Sequence, residues 1–273
     1  MSNVVAFERD RRVSVFQDTT LVFPELWADV YIAGSPYEQN QFAEMFVRAR
    51  CKKADSPAEA DIVIFTGGPD VDPTLYGEIA HHSTRIDTHR DQADLELYGD
   101  CFEKGIPMVG ICRGAQFLHV MNGGKLYQDV DGHYGDHPIY DVKTQRMVPK
   151  TSSTHHQMVI RQEGMEVLAE SPKARNRWCN PTRNVEGMKQ DVEAFFYPDT
   201  CVLGIQGHPE YRGYHQFTKW SLDLILEYII MNKDVALVKD EGKTVRRLKS
   251  EFIAERNKRW AEEIKNTYQA TAN

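Results

Sequence analysis

The sequence lacks the features of several protein classes. Among its 273 residues are 33 basic and 40 acidic side chains, which give a formal net charge of −7. This charge provides no basic field that would attract nucleic acid or an anionic membrane, so we expect neither partner. No apolar run approaches the ~18 residues that a membrane-spanning helix requires. The hydrophobic content of 41% is that of an ordinary globular protein with a sizeable core.

Cysteine is scarce and unpaired in the sequence. The five cysteines are widely spaced, odd in number and without a C-x-x-C pair. This pattern argues against a disulfide framework or a zinc site and favours a reducing compartment. Residues 1–12 are charged and contain no apolar signal core, so we expect a cytoplasmic protein. We also expect no metal and no organic cofactor.

Short apolar runs alternate with helical patterns along most of the chain. This alternation predicts an α/β fold with a mainly parallel central sheet and helices on both faces. The predicted strands are 29–34, 61–66, 106–111, 141–148, 158–160, 192–197 and 202–205. One predicted helix begins at Pro36. Three further predicted helices cover 91–103, 115–121 and 215–231. The polar segment 69–90 is predicted to be a long functional loop.

The two ends of the chain differ from this pattern. Residues 1–28 form an N-terminal extension with weak strand signals at 13–16 and 20–23. Residues 29–235 are predicted to form the catalytic domain. Residues 236–273 form a charged helical extension, whose run 243–268 is either a solvated helix or an arm that docks a partner.

The most informative stretch is Cys112 with its flanking residues. The cysteine follows the predicted strand 106–111, precedes a predicted helix and lies two residues from both Gly110 and Gly114. A strand, a nucleophile and a helix in direct succession form a nucleophile elbow, in which small neighbours allow close backbone approach. The helix N-terminus favours the reactive thiolate. The alternative interpretation is an inert buried cysteine before a glycine-rich turn.

Two further segments follow strand ends. His208 comes after strand 202–205, and Glu210 can orient its ring through one nitrogen while the other faces the sulfur. Gly67 and Gly68 follow strand 61–66. The backbone N–H of Gly68, with that of Arg113, could form an oxyanion hole. The carboxyl ends of strands are where open α/β sheets build their sites.

These residues resemble the class I (triad) glutamine amidotransferases, whose elbow is similar to G-[IV]-C-x-G-x-Q and whose base motif is H-P-E. Within that superfamily the chain is most similar to the peptidase C26 branch, which includes γ-glutamyl hydrolases and γ-glutamyl-GABA hydrolases. Four further segments carry this similarity: 67–78, Arg90-Asp91 with Glu96, 153–157, and 191–194.

The resemblance implies a flavodoxin-like three-layer fold and a role for each matched residue. Cys112 would be the nucleophile, His208 the base and acid, and Glu210 the orienting carboxylate. The N–H groups of Gly68 and Arg113 would form the oxyanion hole. The remaining implied residues would contact the substrate, and they are Gln116, His155, His156 and Gln157. The implied reaction cleaves a γ-glutamyl amide through a thioester and releases glutamate and an amine.

Some features depart from the family pattern. Gly207 stands where the family usually has Trp, which predicts an enlarged or loosened pocket. His119 stands where the branch usually has Asn, and segment 169–190 has no counterpart. His81 and His82 are interpreted as solvated rather than as metal ligands.

Three functional hypotheses remain open from the sequence. In the first, the substrate is a small γ-glutamyl amine or peptide. In the second, the protein hydrolyses glutamine and passes ammonia to a separate synthetase partner, because the chain has no P-loop signature of its own. In the third, the chain is a catalytically silent binding module. A homo-oligomer is compatible with each hypothesis.

Overall fold

The computed structural model describes residues 14–15, 21–171, 174, 176–186 and 191–231. The strands are β1 Ser14–Val15, β2 Asp29–Ala33, β3 Lys52–Lys53, β4 Ile62–Phe65, β5 Met108–Ile111, β6 Leu126–Tyr127, β7 Asp129–Val130, β8 His137–Asp141, β9 Arg146–Thr151, β10 Met158–Val159, β11 Glu166–Ser171, β12 Asn176–Asn180, β13 Arg183–Glu186, β14 Asp191–Tyr197 and β15 Val202–Ile205. The helices are α1 Pro36–Arg48, α2 Thr88–Lys104, α3 Arg113–Met121 and α4 His215–Leu224, which continues as a π-helical turn over Ile225–Ile230.

A ten-stranded sheet forms the centre of the protein. Its strand order is β1, β9, β8, β11, β14, β15, β5, β4, β2, β3. The half from β15 to β3 is parallel, whereas the pairs from β15 through β14, β11 and β8 to β9 are antiparallel, and β1 adds a short parallel pair at the far edge. The predicted α/β class is therefore confirmed, with an antiparallel half added to the parallel one.

Helices cover both faces of the sheet, as predicted. Successive residues of a strand point to opposite faces, so Ile62 and Ile64 join one apolar core while Val63 and Phe65 join the other. Helices α1 and α4 pack into the first core, and α2 and α3 pack into the second. Burial on both faces explains why the parallel strands are continuously apolar in sequence.

Local signals explain where the first two helices begin and end. Ser35 caps α1 in a reciprocal capping box with Glu38. Helix α2 begins at Thr88, three residues before the predicted start, because the Asp87 carboxylate accepts hydrogen bonds from the N–H groups of His89 and Arg90. It ends at Lys104, one residue after the predicted end, and is followed by the cap residue Gly105, which has a φ of +66°.

The predicted single strand 141–148 is wrong. Within this segment, residues 142–145 form the turn between β8 and β9, which pair antiparallel. The Asp141 carboxylate accepts from the N–H of Thr144, and this hydrogen bond stabilises the turn that breaks the strand. The unmatched segment 169–190 contributes the end of β11 and the small antiparallel pair of β12 and β13.

The expectations at the chain ends have different outcomes. Ser14–Val15 forms a short strand parallel to β9, within the predicted 13–16 segment. Residues 21–23 form no strand, so the prediction for 20–23 is wrong where the structure describes it. The charged extension 236–273 lies outside the described residues. Within the described part of the chain, no helix has both the length and the apolarity needed to cross a bilayer.

Helix α3 approaches the sheet so closely that its first turn requires glycine. A Cβ built on Gly114 would lie 2.0 Å from the carbonyl oxygen of Phe65 in β4. That contact is with backbone, which cannot rotate away. The close approach fixes the helix that follows Cys112 against the strand that precedes Gly67.

We expect Gly114→Ala to destabilise the fold by more than about 2 kcal/mol, as overpacking against a rigid neighbour does. The matched control is Gly99→Ala in α2, where an added Cβ meets no atom within 4 Å. The control should stabilise the protein by about 0.5–1 kcal/mol because alanine favours a helix interior. Urea unfolding measures both changes, and equal midpoints for the two variants would contradict the close approach.

Candidate active site

Cys112 occupies a strained turn between β5 and α3. Its backbone φ is +53° and its ψ is −112°, a conformation that non-glycine residues rarely adopt. Its N–H donates to the carbonyl oxygen of Ile205 in the neighbouring strand, at 2.8 Å. A Cβ on Gly110 would lie 2.5 Å from the N of Ala115, so the turn also needs glycine before the cysteine. This is the geometry of the predicted nucleophile elbow.

The strand pairing brings His208 to Cys112. Strands β5 and β15 run parallel with Ile111 opposite Ile205, so the residues that follow them emerge at the same edge of the sheet. The Cys112 side chain interacts electrostatically with the His208 ring, so the two residues lie next to each other. Its Nδ1 lies 2.7 Å from Oε1 of Glu210. The three predicted triad residues therefore meet in the order nucleophile, base and carboxylate.

Two residues that were not predicted hold His208 in place. The hydroxyl of Ser152 accepts from the His208 N–H at 2.7 Å and donates to the His208 carbonyl at 3.0 Å. The ring of Tyr211 stacks on the imidazole, with centroids 4.5 Å apart and planes 8° apart. No local signal marks Ser152, which is 56 residues away in sequence. In the sequence, Tyr211 is marked only by its position directly after Glu210.

The electrostatics favour a charged imidazole. Burial on its own lowers the pKa of His208, but the negative charge and hydrogen bond of Cys112, together with Glu210, raise that pKa well above 6.5. The site thus favours a protonated imidazole beside the Cys112 side chain.

The predicted oxyanion residues lie beside this pair. A Cβ on Gly67 would lie 2.9 Å from Cε1 of His208, so the glycine leaves room for the ring. Gly68 has a φ of +146° and borders the side chains of Arg90 and Arg113. Arg113 is the first residue of α3, where a backbone N–H has no acceptor within the helix.

The guanidinium of Arg113 is used elsewhere. It is buried and forms ion pairs with Asp91 and Asp94 of α2. Asp94 also pairs with Arg90 at 3.0 Å. Burial raises the pKa of Asp91 to about 6, although Arg113 lowers it. The charge of Arg113 therefore links α3 to α2.

The predicted substrate residues divide into two groups. Gln116, His155 and Gln157 are buried. The Gln116 amide donates to the Gln157 carbonyl at 2.7 Å, and His155 Nδ1 lies 3.1 Å from the same oxygen. Burial, reinforced by neighbouring histidines, lowers the pKa of His155 well below its usual value. These residues form one connected group beside α3.

His156 has a different environment. Its ring bridges Asp70 at 3.0 Å and Asp129 at 3.1 Å. The hydrogen bond that its Nε2 donates to the Asp70 carboxylate leads the causes that raise the pKa of His156. His156 thus ties the 69–90 loop to β7, which is a positioning role.

Two expectations from the sequence are corrected here. His82 is exposed, but His81 is buried and its N–H donates to Gln128 Oε1 at 2.6 Å, so the interpretation of both histidines as solvated is wrong for His81. Gly207 does not leave an enlarged pocket. A Cβ there would lie 2.7 Å from the Ser152 carbonyl oxygen and 2.9 Å from the Phe217 ring, which fill the space.

Comparison with known proteins places these residues in a family. The sequence model of the family described as Peptidase C26 matches residues 53–210. A Mycobacterium tuberculosis protein described as "Putative glutamine amidotransferase Rv2859c" is 33% identical over an alignment 169 positions long, which covers 54% of this chain and 50% of that protein. The gamma-glutamyl-gamma-aminobutyrate hydrolase of Escherichia coli O157:H7 is 27% identical over an alignment 188 positions long, which covers 61% of this chain and 68% of that protein.

Solved structures support the fold. A Thermoplasma acidophilum protein described as a "putative gmp synthase subunit a protein" superposes with a TM-score of 0.50 at 14% identity, covering 76% of this chain and 96% of that one. At this identity the likeness concerns the fold alone. The chain spans about half the length of the Mycobacterium relative it matches.

We expect the pKa of His208 to fall in a Cys112→Ala variant, because the leading causes that raise it are removed and burial remains. NMR titration of the imidazole measures the change. His156, whose pKa is raised by Asp70 and Asp129, should titrate unchanged and serves as the control.

The same shift affects the stability of the native protein. Since the folded pKa of His208 lies above the unfolded value, its protonated ring contributes stability fully below about pH 6.5 and loses it as the pH rises through the folded pKa. The Cys112→Ala variant should lose this part of the pH dependence. An unshifted His208 titration in that variant would contradict the proposed thiolate–imidazolium contact.

Proposed function

The chain belongs to the peptidase C26 family, and from this premise we propose that it is a cysteine hydrolase that cleaves a γ-glutamyl amide bond. The observation that carries the proposal is the chain of contacts from Cys112 through His208 to Glu210 at the ends of two paired strands. A nucleophile, a base and an orienting carboxylate in this order are the requirements of acyl transfer.

The first half of the reaction forms a covalent intermediate. The Cys112 thiolate attacks the γ-carbonyl carbon, and the N–H groups of Gly68 and Arg113 donate to the developing oxyanion. The imidazolium of His208 then gives its proton to the departing nitrogen as the C–N bond breaks. The products of this half are a γ-glutamyl thioester on Cys112 and a free amine or ammonia.

The second half restores the enzyme. His208, now neutral, takes a proton from water, and the resulting hydroxide attacks the thioester carbonyl. The C–S bond breaks, glutamate leaves and the thiolate–imidazolium pair forms again. Glu210 holds Nδ1 throughout, which keeps Nε2 directed at the reacting atoms.

Two leaving groups are consistent with this site. The hydrolase relative from Escherichia coli supports a substituted amine, and the Mycobacterium relative, described as a putative glutamine amidotransferase, supports ammonia that is passed from glutamine to a separate partner. We favour the substituted amine. A screen of glutamine, γ-glutamyl amines and γ-glutamyl peptides, monitored by glutamate release from the purified chain, decides between them. Activity on glutamine that appears only with an added synthetase would favour the second.

A silent binding module is the rival from another class, and covalent labelling separates it from an enzyme. Diazo-oxo-norleucine, a glutamine-like electrophile, should modify Cys112 selectively and with one label per chain. Mass spectrometry locates the label. Absence of labelling while a small alkylating agent still reaches Cys112 would support the silent module.

We expect Cys112→Ala to lower kcat/KM by about 10⁴-fold or more, because no other group can form the thioester. The matched control is Cys201→Ala, which removes a partly exposed thiol at the end of β15 opposite to His208. Glutamate release on the best substrate of the screen measures both. Near-native turnover by the Cys112 variant would refute the mechanism.

We expect Glu210→Gln to lower kcat by about 10²–10⁴-fold while substrate binding changes little, because a neutral amide no longer stabilises the imidazolium or fixes its tautomer. The control Glu163→Gln removes a carboxylate on the exposed surface and should leave kcat unchanged. A loss expressed only in KM would contradict the orienting role of Glu210.

A further inference from the structure

A second group of ionisable side chains is buried in the antiparallel half of the sheet. His133 is 0% exposed, and His137 and Glu193 are each 3% exposed. One potential ligand atom from each of these three residues lies within 4.8 Å of the others. Neither histidine nor the glutamate belongs to the triad, and sequence reasoning did not identify them. The only signal in the sequence was the i, i+4 spacing of His133 and His137. That spacing places two side chains on one face of a helix, but these histidines lie on a loop and a strand.

The hydrogen bond of His133 determines which of its nitrogens is available. Its Nε2 lies 3.0 Å from the Asp191 carboxylate, which can only accept, so Nε2 carries a proton. Its Nδ1 then faces Glu193 Oε1 at 3.6 Å. This distance is too long for a hydrogen bond, and the buried Nδ1 has no other hydrogen-bond partner among the residues that the structure describes. A lone pair therefore points at a carboxylate oxygen across a gap.

The charges in this group also do not balance. The Arg177 guanidinium is buried and donates to Asp191 Oδ1, with Nε at 2.8 Å, so these two residues neutralise each other. Among the described residues, the ion-pair partners of Glu193 are both histidines, with His137 Nε2 at 2.9 Å. A buried carboxylate without a cationic partner is costly. A cation beside Glu193 removes that cost.

We propose that His133 Nδ1, His137 Nε2 and the Glu193 carboxylate bind a divalent cation of the zinc class. Two histidines and one glutamate form a donor set that zinc accepts. The Asp191 carboxylate accepts from the Nε2–H of His133. A carboxylate commonly accepts in this way from the second ring nitrogen of a metal-bound histidine.

The distances suit such an ion. A cation about 2.1 Å from both His133 Nδ1 and Glu193 Oε1 would see these atoms, 3.6 Å apart, at roughly 118°. The 2.9 Å separation between His137 Nε2 and Glu193 corresponds to roughly 87°. A further nitrogen is close: His155 Nε2 is buried without a partner, and the His155 and His133 ring centroids are 4.8 Å apart.

The proposed ion has a structural role and takes no step in the hydrolysis. It links the segment before β8 to β14, and the Glu193 carbonyl accepts from the Gln206 N–H at 2.8 Å, two residues before His208. The metal would thus stiffen the backbone that carries the base. This proposal revises the sequence-based expectation that no metal is present.

The test uses the full chain with Cys112→Ala, so that the thiolate cannot bind metal. The protein is unfolded in a chelator and refolded with Zn²⁺ or with Co²⁺, and metal content is measured by mass spectrometry after desalting. We expect about one ion per chain, a higher Tm with Zn²⁺, and visible ligand-field bands with Co²⁺. Fewer than about 0.1 ions per chain, with Tm unchanged, would overturn the proposal.

Two substitutions then locate the ion. His137→Gln and Glu193→Gln should each reduce bound metal at least tenfold and remove the Co²⁺ bands. The control is His119→Asn, a buried histidine outside the group that contacts Tyr197 at 2.8 Å, and it should retain the ion. If both test variants fail to fold, the result for Cys112→Ala alone still decides. Full metal content in both folded variants would refute the assignment of these ligands.

Discussion

The strained backbone of Cys112 is the constraint on which the candidate site depends. A residue with a side chain held at positive φ needs surroundings that leave no alternative. Gly110 and Gly114 remove every side-chain atom from the approach of α3, and the Ile205 carbonyl holds the Cys112 N–H. The resulting turn directs the sulfur toward the end of the next strand, where His208 begins its own turn.

Buried polar groups lie around this turn, and each of them holds a neighbouring element in position. The Arg113 side chain is committed to Asp91 and Asp94, and these ion pairs hold α3 against α2. His156 joins the long loop to β7 through two carboxylates. Ser152 fixes the backbone of His208 from both sides. The polar interior thus sets positions as well as chemistry, and removal of any one group affects neighbours on other elements.

The sequence predicted the parts of the molecule that depend on local patterns. The buried run 62–65, the start of α1 at Pro36 and the strand–cysteine–helix succession are each encoded within a few residues. The β8–β9 turn was missed because its hydrogen bond at Asp141 competes with a regular apolar pattern. Ser152 and His133 were missed because their partners, His208 and Asp191, are far away in sequence and meet them only when the sheet forms.

The strand β3 at one end of the sheet has a consequence for association. It consists of Lys52 and Lys53, both exposed, and it pairs only with β2 among the described strands. If the β3 strand of a second molecule paired with this edge, the lysines of the two chains would lie next to each other, and the pairing would extend over only two residues. This edge is therefore protected against intermolecular sheet growth and aggregation, so the parallel half of the sheet can stay open at its end without covering structure.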